Sequence, residues 1–127
     1  MDSDYPPHRL GRMGETLART HLESQGWTVL AANYRFGRRE VDLVVRVGEV
    51  VAFVEVKTRA GDGFGGPEAA VTWKKRREIE IVAQDFLYQH RVGDVDVRFD
   101  VIAIEVGGDG TPTRFQHIED AWRPGWR

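Results

Sequence analysis

Two apolar, β-branched segments separated by only two residues are the feature that most constrains the fold of this chain. Residues 41–47 read VDLVVRV and residues 50–57 read VVAFVEVK, with Gly48 and Glu49 between them. β-Branched residues favour strands, and glycine at the first position of a two-residue loop favours a tight hairpin turn. The pattern therefore predicts an antiparallel pair of largely buried strands.

Ionisable residues interrupt both segments at matching positions. With a two-residue loop, the predicted register opposes Asp42 to Glu55 and Glu40 to Lys57. Side chains alternate between faces along a strand, so all four lie on one face of the hairpin. Directly opposed residues have Cβ atoms about 4.5–5.5 Å apart. The register thus predicts two carboxyl groups side by side, with a lysine next to them.

An opposed pair of Asp42 and Glu55 destabilises the hairpin, because like charges repel and buried ions need a partner. A divalent cation between the carboxylates removes the conflict, and Mg²⁺ is often held by one or two carboxylates. Two structural alternatives stay open: the acids face solvent on a half-exposed sheet, or Glu40 and Lys57 form a simple cross-strand salt bridge. Local conflicts in an otherwise consistent sequence tend to mark functional sites, which favours the metal site.

The remaining periodicity predicts an α/β fold around the hairpin. Apolar residues at helical spacing predict helices over residues 10–25 and 73–88, with Gly26 ending the first and Thr72 capping the second. We expect further strands over residues 27–33, 95–106 and 113–118, a basic turn or loop over 34–39, a glycine-rich loop over 60–66 and a helical turn over 119–122. A helix between the third and fourth strands indicates a crossover, so the order α-β-β-β-α-β predicts a mixed central sheet flanked by helices.

Length and composition are typical of one small globular domain. The 127 residues suggest a single domain over residues 10–127, after a flexible tail at residues 1–9. The absence of cysteine excludes disulfides and thiolate zinc sites. The net charge of −2 excludes a global cationic field, but not a local basic cleft. A polar start and the lack of a long apolar run predict a cytoplasmic protein that does not enter a membrane.

Several short motifs along the chain resemble those of a known family. GRMGE (11–15), NYR (33–35), EVDLV (40–44), FVEVKTR (53–59), RFDVI (98–102) and HIEDA (117–121) are similar to the YraN-like family of small bacterial proteins. Asp42 followed by Glu55, Val56 and Lys57 resembles the PD-(D/E)XK nuclease signature, with Val41 in place of its proline. The resemblance implies a restriction-endonuclease-like core, similar to archaeal Holliday-junction resolvases.

The resemblance also implies roles for individual residues. Asp42 and Glu55 would hold Mg²⁺, with Mn²⁺ as the alternative ion. Lys57 would orient or activate water and balance charge on the scissile phosphate. Glu15 would be the helix-borne acid of the resolvase-like nucleases, and a solvated helix acid is its structural alternative.

Basic residues near this motif are candidates for contacts with nucleic acid. Lys75 lies four residues before Ile79, so it continues the apolar stripe of the second helix and leans toward the sheet. Its structural alternative is a lysine that keeps its charge in water at the helix edge. Arg35, Arg39 and Arg59 flank the hairpin strands and could form a local cationic cleft despite the negative net charge.

Three functions are compatible with these residues. The first is a divalent-metal-dependent nuclease that hydrolyses phosphodiester bonds of DNA, with branched or structured DNA among its candidate substrates. The second is a non-catalytic nucleic-acid-binding module with a nuclease-like fold, and the third is a protein-interaction domain. The intact set of Asp42, Glu55 and Lys57 favours the first, with DNA preferred over RNA. A homodimer stays an open alternative, because resolvase-like enzymes cut at two symmetric positions.

Overall fold

The structure, a computed structural model, describes residues 7–60 and 71–126, and its side chains from residue 9 onward. The elements are α1 (Pro7–Ser24), β1 (Thr28–Phe36), β2 (Arg39–Val47), β3 (Val50–Ala60), α2 (Trp73–Gln89), β4 (Asp96–Val106) and β5 (Pro112–Ile118). The predicted α/β fold, its α-β-β-β-α-β order and the additional last strand are confirmed.

The five strands form one mixed sheet in the order β1-β2-β3-β4-β5. β1, β2 and β3 pair antiparallel, and β5 pairs antiparallel with β4. β3 and β4 run parallel, as the helix between them requires. β3 is therefore the central strand, paired along its length with β4 and for its first half with β2.

The predicted hairpin register is confirmed over the first part of the ladder. Val47 pairs with Val50, and the pairing continues regularly to Leu43 and Val54. Gly48 has a φ of 55°, which a tight hairpin turn requires at its first position. The ladder between β2 and β3 ends at Leu43 and Val54, so the acidic residues lie just beyond its last pair.

The sheet has a separate apolar core on each face. Alternate residues of β3 divide between them: Val51 and Phe53 pack with α2, whereas Ala52 and Val54 pack with α1. The α2 residues in the first core are Ile79, Val82, Ala83 and Phe86, and the α1 residues in the second are Leu10, Ala18 and Leu22. Because β3 carries side chains into both cores, its position is fixed from both sides.

Both helices form where the apolar spacing predicts them. The Lys75 N–H donates to the Thr72 hydroxyl at 3.2 Å, which confirms Thr72 as the N-cap of α2. α1 begins at Pro7, three residues before the predicted start, because proline is compatible with a first helical turn. Neither helix in the described part of the chain is long and apolar enough to cross a membrane.

The predicted basic turn or loop over residues 34–39 is a turn, and it is shorter than predicted. β1 continues to Phe36 and β2 already begins at Arg39, so only a short turn separates them. Tyr34 accounts for the longer β1. Its ring packs edge-on against Phe86 with ring centroids 5.0 Å apart, and its hydroxyl donates to Asp85 Oδ2 at 2.8 Å. These contacts with α2 hold the end of β1 on the sheet.

The predicted helical turn over residues 119–122 was wrong. The Asp120 N–H donates to Asp100 Oδ1 at 3.0 Å, and the Ala121 N–H donates to the Phe99 carbonyl at 2.7 Å. Two backbone N–H groups that follow β5 thus donate to β4 and do not form the bonds of a helical turn. Trp122 then stacks on Phe99 with ring centroids 5.1 Å apart. The predicted glycine-rich loop lies outside the described residues from position 61 onward.

Gly14 lets α1 approach β3 more closely than any other residue would. A Cβ atom at this position would overlap the Thr58 hydroxyl, whereas a Cβ at Gly11 would have nothing within 4 Å. Glu15 follows Gly14 directly, so this close approach also sets how far the helix-borne acid stands from the sheet.

We expect Gly14→Ala to destabilise the fold by about 1–3 kcal/mol, since an overpacked contact must push α1 off the sheet. Urea unfolding measures the change. Gly11→Ala is the matched control and should be neutral or stabilising by up to about 1 kcal/mol, because alanine is the better helix former. Equal effects of the two substitutions would show that the contact with Thr58 does not limit the packing of α1.

Candidate metal centre

Glu55 is a buried carboxylate at the end of the fully packed part of β3. Its side chain is 4 % exposed, and its backbone lies opposite Val101 in the parallel ladder with β4. Its Oε2 atom lies 3.9 Å from Lys57 Nζ and 3.8 Å from Lys75 Nζ. Its Oε1 atom is buried and has no nitrogen or hydroxyl donor among the described residues. Within that part of the chain, a proton or a cation held together with the Asp42 carboxyl group could satisfy this oxygen.

The surroundings of Glu55 disfavour its charge. Burial, followed by the hydrogen bond and charge of the Asp42 carboxyl group, raises the pKa of Glu55 to about 9, although Lys75 and Lys57 act in the opposite direction. The two lysines do not compensate fully, because neither ammonium group comes within hydrogen-bonding distance. At neutral pH this carboxyl group therefore holds either a proton or another cation.

Asp42 is placed beside Glu55 by a side-chain bond to the neighbouring strand. The Val56 N–H donates to Asp42 Oδ2 at 2.7 Å. The predicted direct opposition of Asp42 and Glu55 within the ladder was wrong in detail, because regular pairing ends at Leu43 and Val54. Beyond that point the strands are joined by the Asp42 carboxylate. The two acids are nevertheless neighbours, as their electrostatic coupling indicates.

Glu40 does not pair with Lys57, contrary to the predicted register. Its Oε2 atom lies 3.1 Å from Arg35 Nη2, and its Oε1 accepts a hydrogen bond from Asn33 Nδ2 at 2.9 Å. Glu40 turns toward β1 because the ladder with β3 has already ended. Lys57 is consequently free of Glu40 and lies against Glu55.

Asn33 is a residue of this site that the sequence patterns did not single out. Its Nδ2 donates to Glu15 Oε1 at 2.6 Å and to Glu40 Oε1 at 2.9 Å, which ties α1 to β2. Its φ of 51° lies in the left-handed region, where asparagine is one of the few tolerated residues. An asparagine within a strand segment is the signal that was available, since asparagine is depleted in strands.

Glu15 stands at the edge of the acid pair, as the resemblance implies. Burial raises the pKa of Glu15, the hydrogen bond from Asn33 opposes this, and the nearby charges of Asp42 and Glu40 raise it further. The interaction with Asp42 shows that α1 brings this side chain to the same region. The hydrogen bond from Asn33 holds the Glu15 carboxyl group there.

The predicted basic residues occupy different positions around these acids. Lys75 leans toward the sheet as expected and approaches Glu55 from α2. Arg35 is largely exposed and pairs with Glu40. Arg59 is half-buried two residues beyond Lys57 on β3, and Arg39 is exposed at the first position of β2. The structure thus brings Lys75 to the acid pair and leaves the three arginines around it.

The described residues could offer a metal ion the two carboxylates of Asp42 and Glu55 rather than a larger set of ligands. Among residues 9–60 and 71–126, no group of three acidic or histidine side chains is arranged to hold an ion. Two carboxylates with an unpaired buried oxygen suit Mg²⁺, which usually keeps several waters and takes one or two carboxylates. The arrangement therefore supports a two-carboxylate centre flanked by Lys57 and Lys75.

We expect Glu55→Gln to stabilise the metal-free protein at neutral and alkaline pH. In the unfolded chain Glu55 releases its proton near its ordinary pKa of 4.5, whereas in the folded chain it keeps the proton up to about pH 9. Ionisation of this group therefore lowers the stability of the wild type as pH rises from about 5 to 9, by about 3 kcal/mol at pH 7. Urea unfolding in EDTA at pH 5, 7 and 8.5 measures the difference.

Glu49→Gln provides the matched control for this measurement. Glu49 lies in the hairpin turn with a side chain that is 78 % exposed, so its removal should leave the pH dependence of stability unchanged. If the free energy of unfolding changes with pH in the same way for wild type and Glu55→Gln, the pKa of Glu55 is not raised in the folded protein.

Comparisons with known proteins place the chain among bacterial relatives. Residues 14–104 match the family described as "Uncharacterised protein family UPF0102". A UPF0102 protein of Solibacter usitatus is 48 % identical over 103 residues, covering 77 % of this chain and 76 % of the relative. One from Alkaliphilus oremlandii is 39 % identical over 116 residues, covering 90 % and 97 %. The matched region contains Glu15, Asp42, Glu55 and Lys57, and the chain belongs to the UPF0102 family.

Proposed function

We propose that this protein is a divalent-metal-dependent nuclease that hydrolyses phosphodiester bonds of DNA, with branched or structured DNA as its candidate substrate. The observation that supports this most directly is the buried Glu55 carboxyl group, which lies beside the half-buried Asp42 and two lysines and whose Oε1 atom is unpaired among the described residues. Structural carboxylates at such burial are normally hydrogen-bonded. An unpaired oxygen on a buried acid with a second acid beside it is typical of a site that binds a ligand.

In the proposed reaction, Asp42 and Glu55 would together hold the metal ion. A bound Mg²⁺ or Mn²⁺ would supply Lewis acidity and neutralise charge on the phosphate. Asp42 and Glu55 would hold the ion, with Asp42 kept in place by the Val56 N–H. The hydrogen bond engages one Asp42 oxygen, and the other oxygen would be available to the ion.

Lys57 and Lys75 would act on the substrate side of the site. Both ammonium groups lie within 4 Å of Glu55 Oε2, one from β3 and one from α2. Positive groups fixed at this distance stabilise the negative charge that develops on a phosphate during hydrolysis. Lys57 would in addition orient the attacking water. Because the lysines come from different elements, they can contact different oxygens of one phosphate.

Local cations would attract DNA although the net charge of the chain is −2. Arg39 and Arg59 lie on the strands that carry Asp42 and Glu55, Arg35 lies on the neighbouring β1, and each could contact a backbone phosphate outside the reacting one. Such contacts dominate the affinity of proteins for DNA and weaken with salt. They would position the strand over the acids without reading its sequence.

We expect metal-dependent cleavage of at least one DNA substrate by the wild-type protein. The measurement uses labelled linear duplex, single strand, flap, four-way junction and structured RNA, each with Mg²⁺, Mn²⁺ or EDTA. Glu55→Gln should abolish cutting, and Lys57→Ala should lower kcat by about 100- to 1,000-fold, since it removes one charge-stabilising group. Glu49→Gln should cut as the wild type does, because Glu49 lies in the turn at the other end of the hairpin.

Absence of cutting on every substrate, combined with metal-independent binding of nucleic acid, would favour a non-catalytic binding module instead. Cutting that survives both Glu55→Gln and Lys57→Ala would locate the activity elsewhere or in a contaminant.

We also expect the affinity for Mg²⁺ to increase with pH between about pH 6 and 9. Each bound ion displaces the proton held by Glu55, so the affinity should increase by about ten-fold per pH unit and level off as pH approaches the pKa of about 9. Isothermal titration calorimetry in buffers of different ionisation enthalpy measures both the affinity and the proton released. Binding that is independent of pH, with no proton release, would mean that Glu55 is not a ligand.

A further inference from the structure

We propose that Trp73, together with Arg77, is a stacking platform for an unpaired nucleotide of the DNA substrate beside the acid pair. The proposal rests on the nuclease function proposed above and adds the kind of substrate: DNA with unpaired bases next to the cut. It follows from the exposure of one large aromatic ring, its cationic partner and its place on α2.

Trp73 is exposed to a degree that packing does not explain. It is the first residue of α2 and is 73 % exposed, whereas Trp27 and Trp122 are buried at 8 % and 9 %. An indole ring left in water contributes little to folding, since its apolar surface stabilises a protein only when buried. Tryptophan rings that remain accessible are characteristic of binding surfaces, where they supply much of the contact energy.

Arg77 gives the ring a cationic partner. Its guanidinium carbon lies 5.3 Å from the centre of the Trp73 ring, and the two residues are one helical turn apart on the same face of α2. Trp73 nevertheless keeps most of its surface accessible. An aromatic ring next to a guanidinium group suits a nucleotide, because the base can stack while the phosphate meets the positive charge.

The platform lies on the same helical turn that reaches the acid pair. Lys75, whose Nζ is 3.8 Å from Glu55 Oε2, follows Trp73 by two residues, or about 3 Å along the helix axis. Residues two apart point to opposite sides of a helix, so Lys75 faces the acids and Trp73 faces outward. The ring is therefore separated from the acids by roughly the width of one helix, about 10 Å. A strand that crosses the first turn of α2 can reach both.

The charges of this turn match a nucleic-acid strand. Residues 74–77 are four consecutive basic residues, and Lys74 and Arg77 are exposed. A paired base inside a duplex is already stacked on its neighbours and cannot lie on the ring. An unpaired base has a free face, and stacking on an aromatic side chain tolerates any base. The platform thus selects the structure of the DNA and not its sequence.

The test compares Trp73→Ala and Trp73→Phe in the non-cutting Glu55→Gln background. Binding of labelled single-stranded, flap and fully paired duplex DNA is measured by fluorescence anisotropy. We expect Trp73→Ala to weaken binding of the first two by about ten-fold, Trp73→Phe to retain most of the affinity, and duplex binding to change less than about two-fold. Tyr88→Ala is the matched control: Tyr88 is 80 % exposed and lies about 22 Å away along the same helix, so its removal should change nothing.

Cutting by the same Trp73 variants with Glu55 intact separates this proposal from the nuclease function. If the wild type cuts DNA and Trp73→Ala binds and cuts DNA as well as the wild type, the stacking platform is overturned. The proposed nuclease function would still stand. An equal loss of affinity for duplex and unpaired DNA would also overturn it, as would tighter Trp73-dependent binding to an RNA of the same length. A wild type that neither binds nor cuts any DNA would overturn both proposals.

Discussion

The double pairing of β3 is the constraint on which the rest of the structure depends. The strand is bonded to β2 on one side and to β4 on the other, and its side chains alternate between two cores. A residue in this position cannot turn toward water by a small change of rotamer. Glu55 is the last buried residue of the strand, so its carboxylate is held where burial opposes its charge. The arrangement of Asp42, Lys57 and Lys75 follows from where that one carboxylate is held.

The fold contains a second buried carboxylate, and the contrast between the two is informative. Asp100 on β4 is fully buried, yet it accepts hydrogen bonds from Arg98 at 2.7 and 3.1 Å and from the Asp120 N–H at 3.0 Å, and lies 2.8 Å from His117 Nε2. Burial alone would raise the pKa of Asp100, but the bonds from His117, Arg98 and Asp120 together lower it. Glu55 on the adjacent strand has a raised pKa and an unpaired oxygen. The chain can therefore satisfy a buried acid, whereas its described residues leave Glu55 Oε1 without a hydrogen-bond donor.

The regular parts of the structure could be predicted because local rules decide them. A two-residue loop beginning with Gly48 sets the hairpin register, and a hydroxyl at Thr72 sets the start of α2. The hairpin register and the resemblance to a nuclease signature both predict that Asp42 and Glu55 lie close together. The pairing of Arg98 with the buried Asp100 follows the same kind of local rule, since residues two apart on a strand share a face.

The irregular parts could not be predicted because contacts distant in sequence decide them. Nothing in the hairpin itself indicates that pairing ends after Leu43, where the Asp42 side chain takes the Val56 N–H. The left-handed backbone of Asn33 depends on two carboxylates from different elements. These departures from regular geometry all lie around the acid pair. A register rule therefore predicts that Asp42 and Glu55 lie close together, and it describes the details of their contact wrongly.

Helix α2 links the stability of the fold to the charge of the site. Its inner face supplies Ile79, Val82 and Phe86 to the core, and its first turn brings Lys75 to Glu55. The helix cannot move away from the sheet without exposing that core, so the ammonium group stays close to the carboxylate whether or not a cation is bound. A fixed positive charge weakens the binding of any metal ion to Glu55, because the two cations repel each other. The same charge becomes favourable once a phosphate group enters between them. Under the proposed function, an ion would therefore bind more firmly together with an anionic substrate than alone, which would couple metal affinity to the binding of nucleic acid.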